Sequence, residues 1–240
     1  MPVFNEADTV SSYLLAIDDE LRNRVGGGIV PTFFVTEDCS TDDTLVQLEA
    51  LMSQISIKIV RNKSNRGHGP STVRSIHEAL NDGMEIIIVC DSDGQFSESD
   101  IGTIVKRLRA VTPGTAIRAR RAARKEEKYR KLGTWAATLI TSLLARTWSP
   151  DSNCPLRGFH RADLVTIMSR IADDHVVPAI GLTIATQKLA VSTELISVTW
   201  RPRMGCGRVG TMWTASSSVK SALRYLRFCL RATYYLFRTI

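Results

Sequence analysis

Apolar positions at helical spacing appear near the start of the chain, where Val10, Tyr13, Leu14, Ile17 and Leu21 share one face after the polar pair Asn5-Glu6. A Gly26-Gly27-Gly28 break follows, then a β-rich run from Thr32 to Thr36. Leu45, Leu48 and Met52 mark a second helical face, and Ile55 to Val60 reads as a strand. Ser71 to Leu80 is helix-like, and Glu85 to Cys90 is a short apolar run suited to a strand buried on both faces. Strands alternating with helices predict parallel βαβ units in a single open, mostly parallel sheet flanked by helices. Beyond Thr112-Pro113-Gly114 a dense basic stretch runs from Arg118 to Lys131, followed by a Leu- and Thr-rich helix to about Arg146. Ala162 to Ala172 and Gly181 to Ala190 predict helices, Thr193 to Val198 a strand, and the basic, aromatic tail from Ser216 a final helix.

Composition narrows this only slightly. The 240 residues suffice for one substantial α/β domain, and 44% hydrophobic with 23% charged residues is ordinary for a globular chain. A net charge of +7 favours anionic partners. Cys39, Cys90, Cys154, Cys206 and Cys229 form no CxxC pair, a pattern that points to reduced thiols and a cytoplasmic setting. No apolar run approaches the roughly 18 residues that span a bilayer, so membrane contact is expected to be peripheral, on the cytoplasmic face.

The candidate chemistry lies in loops that follow strands. Asp91-Ser92-Asp93-Gly94-Gln95 comes directly after the strand ending at Cys90, the rim where open parallel sheets bind ligands. Two carboxylates one residue apart suit a hard cation that also touches phosphate oxygens, and Gln95 adds a neutral oxygen; an ordinary acidic turn is the alternative. Glu37-Asp38-Cys39-Ser40-Thr41-Asp42 follows the strand at Thr32 to Thr36, and Ser40 or Thr41 is placed to cap the next helix. Asn65-Arg66-Gly67-His68-Gly69-Pro70 is a third such loop, its glycines suited to close backbone approach to phosphate or to a plain turn. The four histidines show no metal-ligand spacing.

In order, Pro2-Val3-Phe4-Asn5-Glu6, Glu37-Asp38-x-Ser40-x-Asp42-x-Thr44, Asn65-x-Gly67-x-Gly69 and Asp91-x-Asp93-Gly94-Gln95 resemble the PxYNE, DDxSxDxT, NxGxG and DxD series of family 2 inverting glycosyltransferases. The DxDGQ form is most similar to the polyprenyl-phosphate branch, which includes dolichol-phosphate mannose synthases. Arg121-x-x-Arg124-Lys125-Glu126-x-x-x-Arg130 with Thr134, then Asp151-Ser152-Asn153-Cys154-Pro155-Leu156-Arg157, then Val198 to Gly205, resemble that branch's later segments.

The resemblance implies a glycosyltransferase A-type, Rossmann-like fold over about 1–215, with a nucleotide-sugar half at about 1–115 and an acceptor half at about 116–215. It implies that Glu6 and Asp38 contact the nucleoside and that Gly67 lines its pocket. Asp91 then lies near ribose and metal, while Asp93 and Gln95 hold Mg²⁺ or Mn²⁺ against the diphosphate of a GDP- or UDP-linked sugar. Arg121, Arg130 and Thr134 grip the phosphate of a polyprenyl acceptor, for which guanidinium forks are well shaped. Asp151 either orients the acceptor, serves as base, or pairs with nearby arginines. The tail at 216–240 places Lys220, Arg224, Arg227 and Arg231 on one stripe and Leu223, Leu226, Leu230 and Phe237 largely on another. With Tyr225, Tyr234 and Tyr235 it suits a membrane interface, a membrane-anchoring partner or a second copy.

The chain also departs from the family pattern. The hydrophobic strand that precedes PxYNE in the family is missing, since the sequence begins at Met1-Pro2, so a truncated first strand with less core burial is expected. Glu37 and Glu126 replace Asp, and Cys39 and Pro155 stand where Gly is usual, with strain expected at Cys39. Other readings are a family 2 enzyme with a hydroxyl acceptor, an inactive relative that binds nucleotide or lipid phosphate, and nucleic-acid binding. The acidic strand-end loops speak against the last, and no nucleic-acid partner is expected.

Overall fold

The computed structural model describes residues 1–121, 138–139, 141–144, 146–199, 201–204 and 219–239. Arg130 and Thr134, like Arg124, Lys125 and Glu126, lie outside them. The first half runs β1 (Pro2–Val3), α1 (Val10–Asp19) with a π-helical continuation (Glu20–Val25), β2 (Phe33–Glu37), α2 (Thr44–Leu51), β3 (Ile57–Arg61), α3 (His68–Asn81), β4 (Ile86–Val89) and α4 (Glu98–Arg109). The second runs β5 (Thr115–Arg121), helical turns at 138–139 and 141–144, β6 (Arg157–His160), α5 (Arg161–Met168), α6 (Pro178–Lys188), β7 (Ser192–Val198) and α7 (Val219–Arg238).

Helices cover both faces of the strands, as the alternating pattern predicts. On one side α1 and α4 bury Leu14, Ile17, Ile104 and Leu108 against Val35, Ile117 and Leu156. On the other, α3, α5 and α6 bury Ile76, Leu164, Ile167 and Leu182 against Ile87 and Phe159. The expected single ladder, however, falls into two hydrogen-bonded pieces. β1, β2 and β3 form a parallel sheet, while β4, β6, β5 and β7 form a mixed one in that order. In the mixed sheet β6 runs antiparallel to both β4 and β5, and β5 runs parallel to β7. The division follows from the length of β1, whose two residues pair only with Thr36 and Glu37 of β2. Between Phe33-Phe34 of β2 and Ile86–Cys90 behind it lies a largely apolar cavity of about 430 Å³.

Three elements were absent from the hydropathy reading. α4 begins with a reciprocal cap: Ser97 Oγ accepts from the Asp100 N–H at 3.1 Å, and the Asp100 carboxylate accepts from the Ser97 N–H at 3.3 Å. Acidic residues in its first turn and basic ones in its last suit the helix dipole. β5 and β6 are hidden in the sequence by arginines that turn out to be buried, Arg118 at 4% and Arg157 at 2% exposure.

Candidate active site

Three loops at the carboxyl ends of β1, β2 and β3 are tied together by short polar side chains. The Asn5 N–H donates to Ser40 Oγ at 3.1 Å, the Glu6 N–H to Thr44 Oγ1 at 2.8 Å, and the Ala7 N–H to the Asp42 carboxylate at 3.4 Å. Asn5 Oδ1 in turn accepts from the Thr41 N–H at 2.8 Å. Ser40 and Thr41 were expected to cap the following helix; they bind the neighbouring loop instead, and the N-cap of α2 is Asp43, with no side-chain cap bond. Asn5 (φ 53°) and Cys39 (φ 63°) both sit in the left-handed region, so the strain expected at Cys39 is present.

Asp38 joins the third loop. It is 2% exposed, and its carboxylate accepts from Asn62 Nδ2 at 2.7 Å, from the Arg66 N–H at 2.8 Å and from the Gly67 N–H at 2.8 Å. These bonds turn Asp38 toward the β3–α3 loop. Gly67 has φ 90° and ψ 164°, a region essentially closed to other residues, and a Cβ there would meet nothing within 4 Å. Gly69 is needed for a different reason: a Cβ would lie 2.4 Å from the His175 carbonyl oxygen. The close backbone approach expected of this loop is therefore, at Gly69, to the protein itself.

Above these loops sits a crowd of carboxylates. Ser92 donates to the Pro2 carbonyl at 2.7 Å and also hydrogen-bonds Glu6, which brings the loop after β4 against the loop after β1. Burial pushes the Glu6 carboxyl up to about 7, with Asp93 and Asp91 adding to the rise, and its Oε2 is buried with no hydrogen-bond partner. Burial, then the neighbouring Asp91, also holds Asp93 above the usual carboxylate range. Burial acts on Asp91 in the same sense but is outweighed by His68, whose Nε2 lies 2.9 Å away, and by Arg203 and Arg121, so Asp91 stays below the usual range. Arg203 Nε donates to Asp93 at 2.9 Å, the Met204 N–H bonds the Asp93 carbonyl and the Arg201 N–H bonds the Gln95 carbonyl, so 201–204 lies along this loop.

At the end of β5 Arg121 closes a fork on Asp151. Its Nε and backbone N–H donate to Oδ2 at 2.9 and 3.0 Å, and its Nη2 bonds Oδ1. Of the roles left open for Asp151, pairing with arginine is the one this geometry displays. Beneath it, Arg118 and Arg157 share Thr183 Oγ1 at 3.1 and 2.8 Å and otherwise rest on main-chain carbonyls. Burial, reinforced by Arg118, brings the Arg157 guanidinium down to about 9.

Glu6, Asp91, Asp93 and Gln95 therefore meet at one rim, and Arg121 is close enough to act on Asp91 through its charge. His68 and Arg203 join them, although neither had been given a role. The signal for His68 was its place between Gly67 and Gly69, and for Arg203 its place in the Val198 to Gly205 run. Among the described residues no group of three or more His, Cys, Asp or Glu side chains is arranged to hold a metal by itself. The residues nonetheless fit a cation that a diphosphate helps to bind: Asp91 and Asp93 are neighbouring acids, and burial and mutual repulsion raise Asp93 in a way that positive charge would relieve. Cys39, Cys90 and Cys154 carry free thiols, and no helix among the described residues is long and apolar enough to cross a membrane.

Known proteins echo this architecture. A UDP-N-acetylglucosamine–dolichyl-phosphate N-acetylglucosaminyltransferase of Methanococcus voltae is 21% identical over 188 residues, covering 71% of this chain and 72% of its own. A dolichol-phosphate mannosyltransferase of Pyrococcus furiosus is 26% identical over 117 residues, 49% of this chain and 30% of its own. In fold, the chain is similar to glucosyl-3-phosphoglycerate synthase of Mycobacterium tuberculosis, solved with Mn²⁺, UDP-glucose and phosphoglyceric acid. That likeness has a TM-score of 0.64 at 16% identity and covers 98% of this chain and 77% of that one. The model of glycosyl transferase family 2 matches residues 1–168, and the chain belongs to that family of glycosyltransferases.

Proposed function

We propose that the protein transfers a sugar, with inversion, from a GDP- or UDP-linked donor to a polyprenyl phosphate, and that it uses Mg²⁺ or Mn²⁺. The observation that carries this reading is a buried acidic rim, Glu6, Asp91 and Asp93, with the Arg121–Asp151 fork near enough for the Arg121 charge to hold Asp91 down. Both dolichyl-phosphate relatives support the choice of acceptor.

In this reading the β1–α1, β2–α2 and β3–α3 loops form the floor for the nucleoside, held rigid by their cross-loop hydrogen bonds. Asp91, Asp93 and Gln95 would hold the metal, which when bound would supply charge neutralisation for the departing diphosphate. Arg203, bonded to the Asp93 carboxylate, would add a second positive charge beside that position. On the other side Arg121, with Arg130 and Thr134 contributed by the sequence match, seats the acceptor phosphate. Its oxygen attacks the anomeric carbon as the bond to the nucleoside diphosphate breaks, and the sugar leaves as a polyprenyl-linked phosphodiester. A phosphate oxygen is already anionic at neutral pH, so the reaction asks for no base, in keeping with an Asp151 engaged by Arg121.

The deciding experiment incubates the protein and Mn²⁺ with radiolabelled GDP-mannose, UDP-glucose or UDP-N-acetylglucosamine, each with polyprenyl phosphate or with 3-phosphoglycerate. Label that moves into the organic phase only with polyprenyl phosphate is the expected result. Transfer to phosphoglycerate alone, or nucleotide binding without any transfer, would overturn the acceptor assignment.

A further inference from the structure

The last turns of α7 are sorted into three sectors. Tyr235, Leu236 and Thr239 are buried at 6%, 9% and 1% exposure. Leu236 packs with Ile180 and Ile184 of α6, the Tyr235 hydroxyl bonds Asp174, and the Tyr235 ring lies 5.2 Å from that of His175. Tyr235, expected in a headgroup layer, is thus an anchor to the protein. Leu230, Tyr234 and Phe237 do the opposite, at 63%, 59% and 64% exposure. At about 100° per residue those three fall within an arc of about 60°. Arg227, Arg231 and Arg238, all exposed, fall beside that arc, between it and the buried sector.

The neighbouring segment repeats the pattern. Leu144 packs against the cluster of Ile180, Ile184 and Leu236, which sets the turns of 141–144 beside α7. From those turns Leu143 is 69% exposed, and Trp148, three residues before Asp151, is 66% exposed. Large apolar side chains displayed along one helical arc, and again on the segment packed next to it, exceed the scatter normal for a protein surface.

We infer that this face, Leu230, Tyr234 and Phe237 of α7 with Leu143 and Trp148, seats the protein on an anionic phospholipid bilayer. Charge complementarity selects that occupant. From Ser216 to the last residue the chain carries Lys220, Arg224, Arg227, Arg231 and Arg238 and no Asp or Glu. An exposed apolar arc with guanidinium groups along its border matches the acyl–headgroup boundary, where the stems stay in the apolar layer and the charges reach phosphate. Leu236, Tyr235 and Thr239 keep the helix on the protein while its outer side is immersed. The face rests on the geometry of α7 and not on which acceptor is used, although Trp148 places it close to the acceptor-side Asp151.

The test is co-sedimentation of the full chain with vesicles of phosphatidylcholine alone or with about a quarter phosphatidylglycerol, without donor or acceptor. Binding is expected with the anionic vesicles, weakened in about 0.5 M salt. The variant Leu230→Ser/Tyr234→Ser/Phe237→Ser is expected to lose about tenfold or more of that affinity while its thermal midpoint is unchanged, since all three side chains are exposed. Arg227→Gln/Arg231→Gln is expected to abolish the preference for anionic vesicles. Unchanged binding by the triple serine variant would overturn the inference. So would absence of vesicle binding by the native chain, including the case where it forms a dimer that the triple variant breaks. A water-soluble short-chain polyprenyl phosphate separates this from the proposed reaction: the triple variant is expected to turn it over normally, and failure of transfer with intact vesicle binding would count against the reaction alone.

Discussion

The two rims, to which the proposed function assigns the donor and the acceptor, are built by different means. On the donor side, hydroxyls and carboxylates of one loop bond the main chain of the next, so Ser40, Asp42 and Thr44 hold the loop at Asn5 to Ala7, and Asp38 holds the loop at Arg66-Gly67. Every partner lies within a short, fixed motif. On the acceptor side, ordering comes from buried cations: Arg121 forked on Asp151, and Arg118 and Arg157 resting on carbonyls and Thr183. Those contacts join β5 to the loop before β6, and β5 and β6 to α6. The lesson is that both sides depend on tertiary assembly, joining positions 28 to 38 residues apart on the first and 26 to 65 apart on the second, and that only the first draws its partners from recognisable motifs.

Changes on the donor side break this contrast most sharply. Asp93→Asn removes one of two neighbouring acids at the rim and is expected to lower Mn²⁺-dependent turnover on the order of 10³-fold, about 4 kcal/mol of transition-state stabilisation. The thermal midpoint should hardly move, because the native carboxyl is held partly against ionisation by burial and Asp91. A metal titration of initial rates together with a melting curve checks both halves. Asp38→Ala should behave in the reverse manner. It leaves the N–H groups of Arg66 and Gly67 and the Asn62 amide without their shared acceptor in a buried place, at a cost of about 3–4 kcal/mol in urea unfolding. Nucleotide affinity should fall with stability.

The same contrast explains what could be read from the sequence. The strands at Phe33–Glu37 and Ile86–Val89 and the helix at His68–Asn81 follow from apolar periodicity, and the rim residues follow from motifs placed at strand ends. α4 escaped notice although its Ser97–Asp100 cap is a local signal. β5 and β6 escaped because Arg118 and Arg157 look like surface charge in a linear reading and become core only when paired across the two strands. Ser40 and Thr41 looked like caps because a chain read alone offers its own helix as the nearest partner. The pairing of His68 with Asp91 depends on two loops separated by a helix and a strand, which no local pattern reveals.

Glu6 provides the next largest effect. In the folded protein its pKa is about 7, above the ordinary value near 4.5, so the native state binds more protons across that interval. Stability is therefore expected to fall as pH rises from 4.5 toward 7, with the full penalty, about 3 kcal/mol, present above 7. Glu6→Gln removes the ionisation. Its gain over the native protein in urea unfolding should grow from near zero at pH 4 to about 3 kcal/mol at pH 8. A gain that does not vary with pH would show that Glu6 ionises as freely in the folded chain as in the unfolded one.

Cys39 tests the smallest part of the donor-side design. Its φ of 63° costs a residue with a Cβ about 1–2 kcal/mol, and the loop holds it there because Glu37 Oε1 accepts from the adjacent Ser40 N–H at 2.5 Å while Asp38 is fixed from the other side. Glycine would remove that strain but enlarge the freedom of the unfolded chain, which opposes the gain by about 0.4–1 kcal/mol. Cys39→Gly is therefore expected to stabilise the protein by only about 0.5 kcal/mol in urea unfolding, with donor affinity unchanged, because no side-chain bond of the loop is lost. A loss of stability would mean that the hydrogen bonds of Glu37 and Asp38 do not by themselves hold the backbone at residue 39, and that the Cys39 side chain contributes packing of its own to the donor rim.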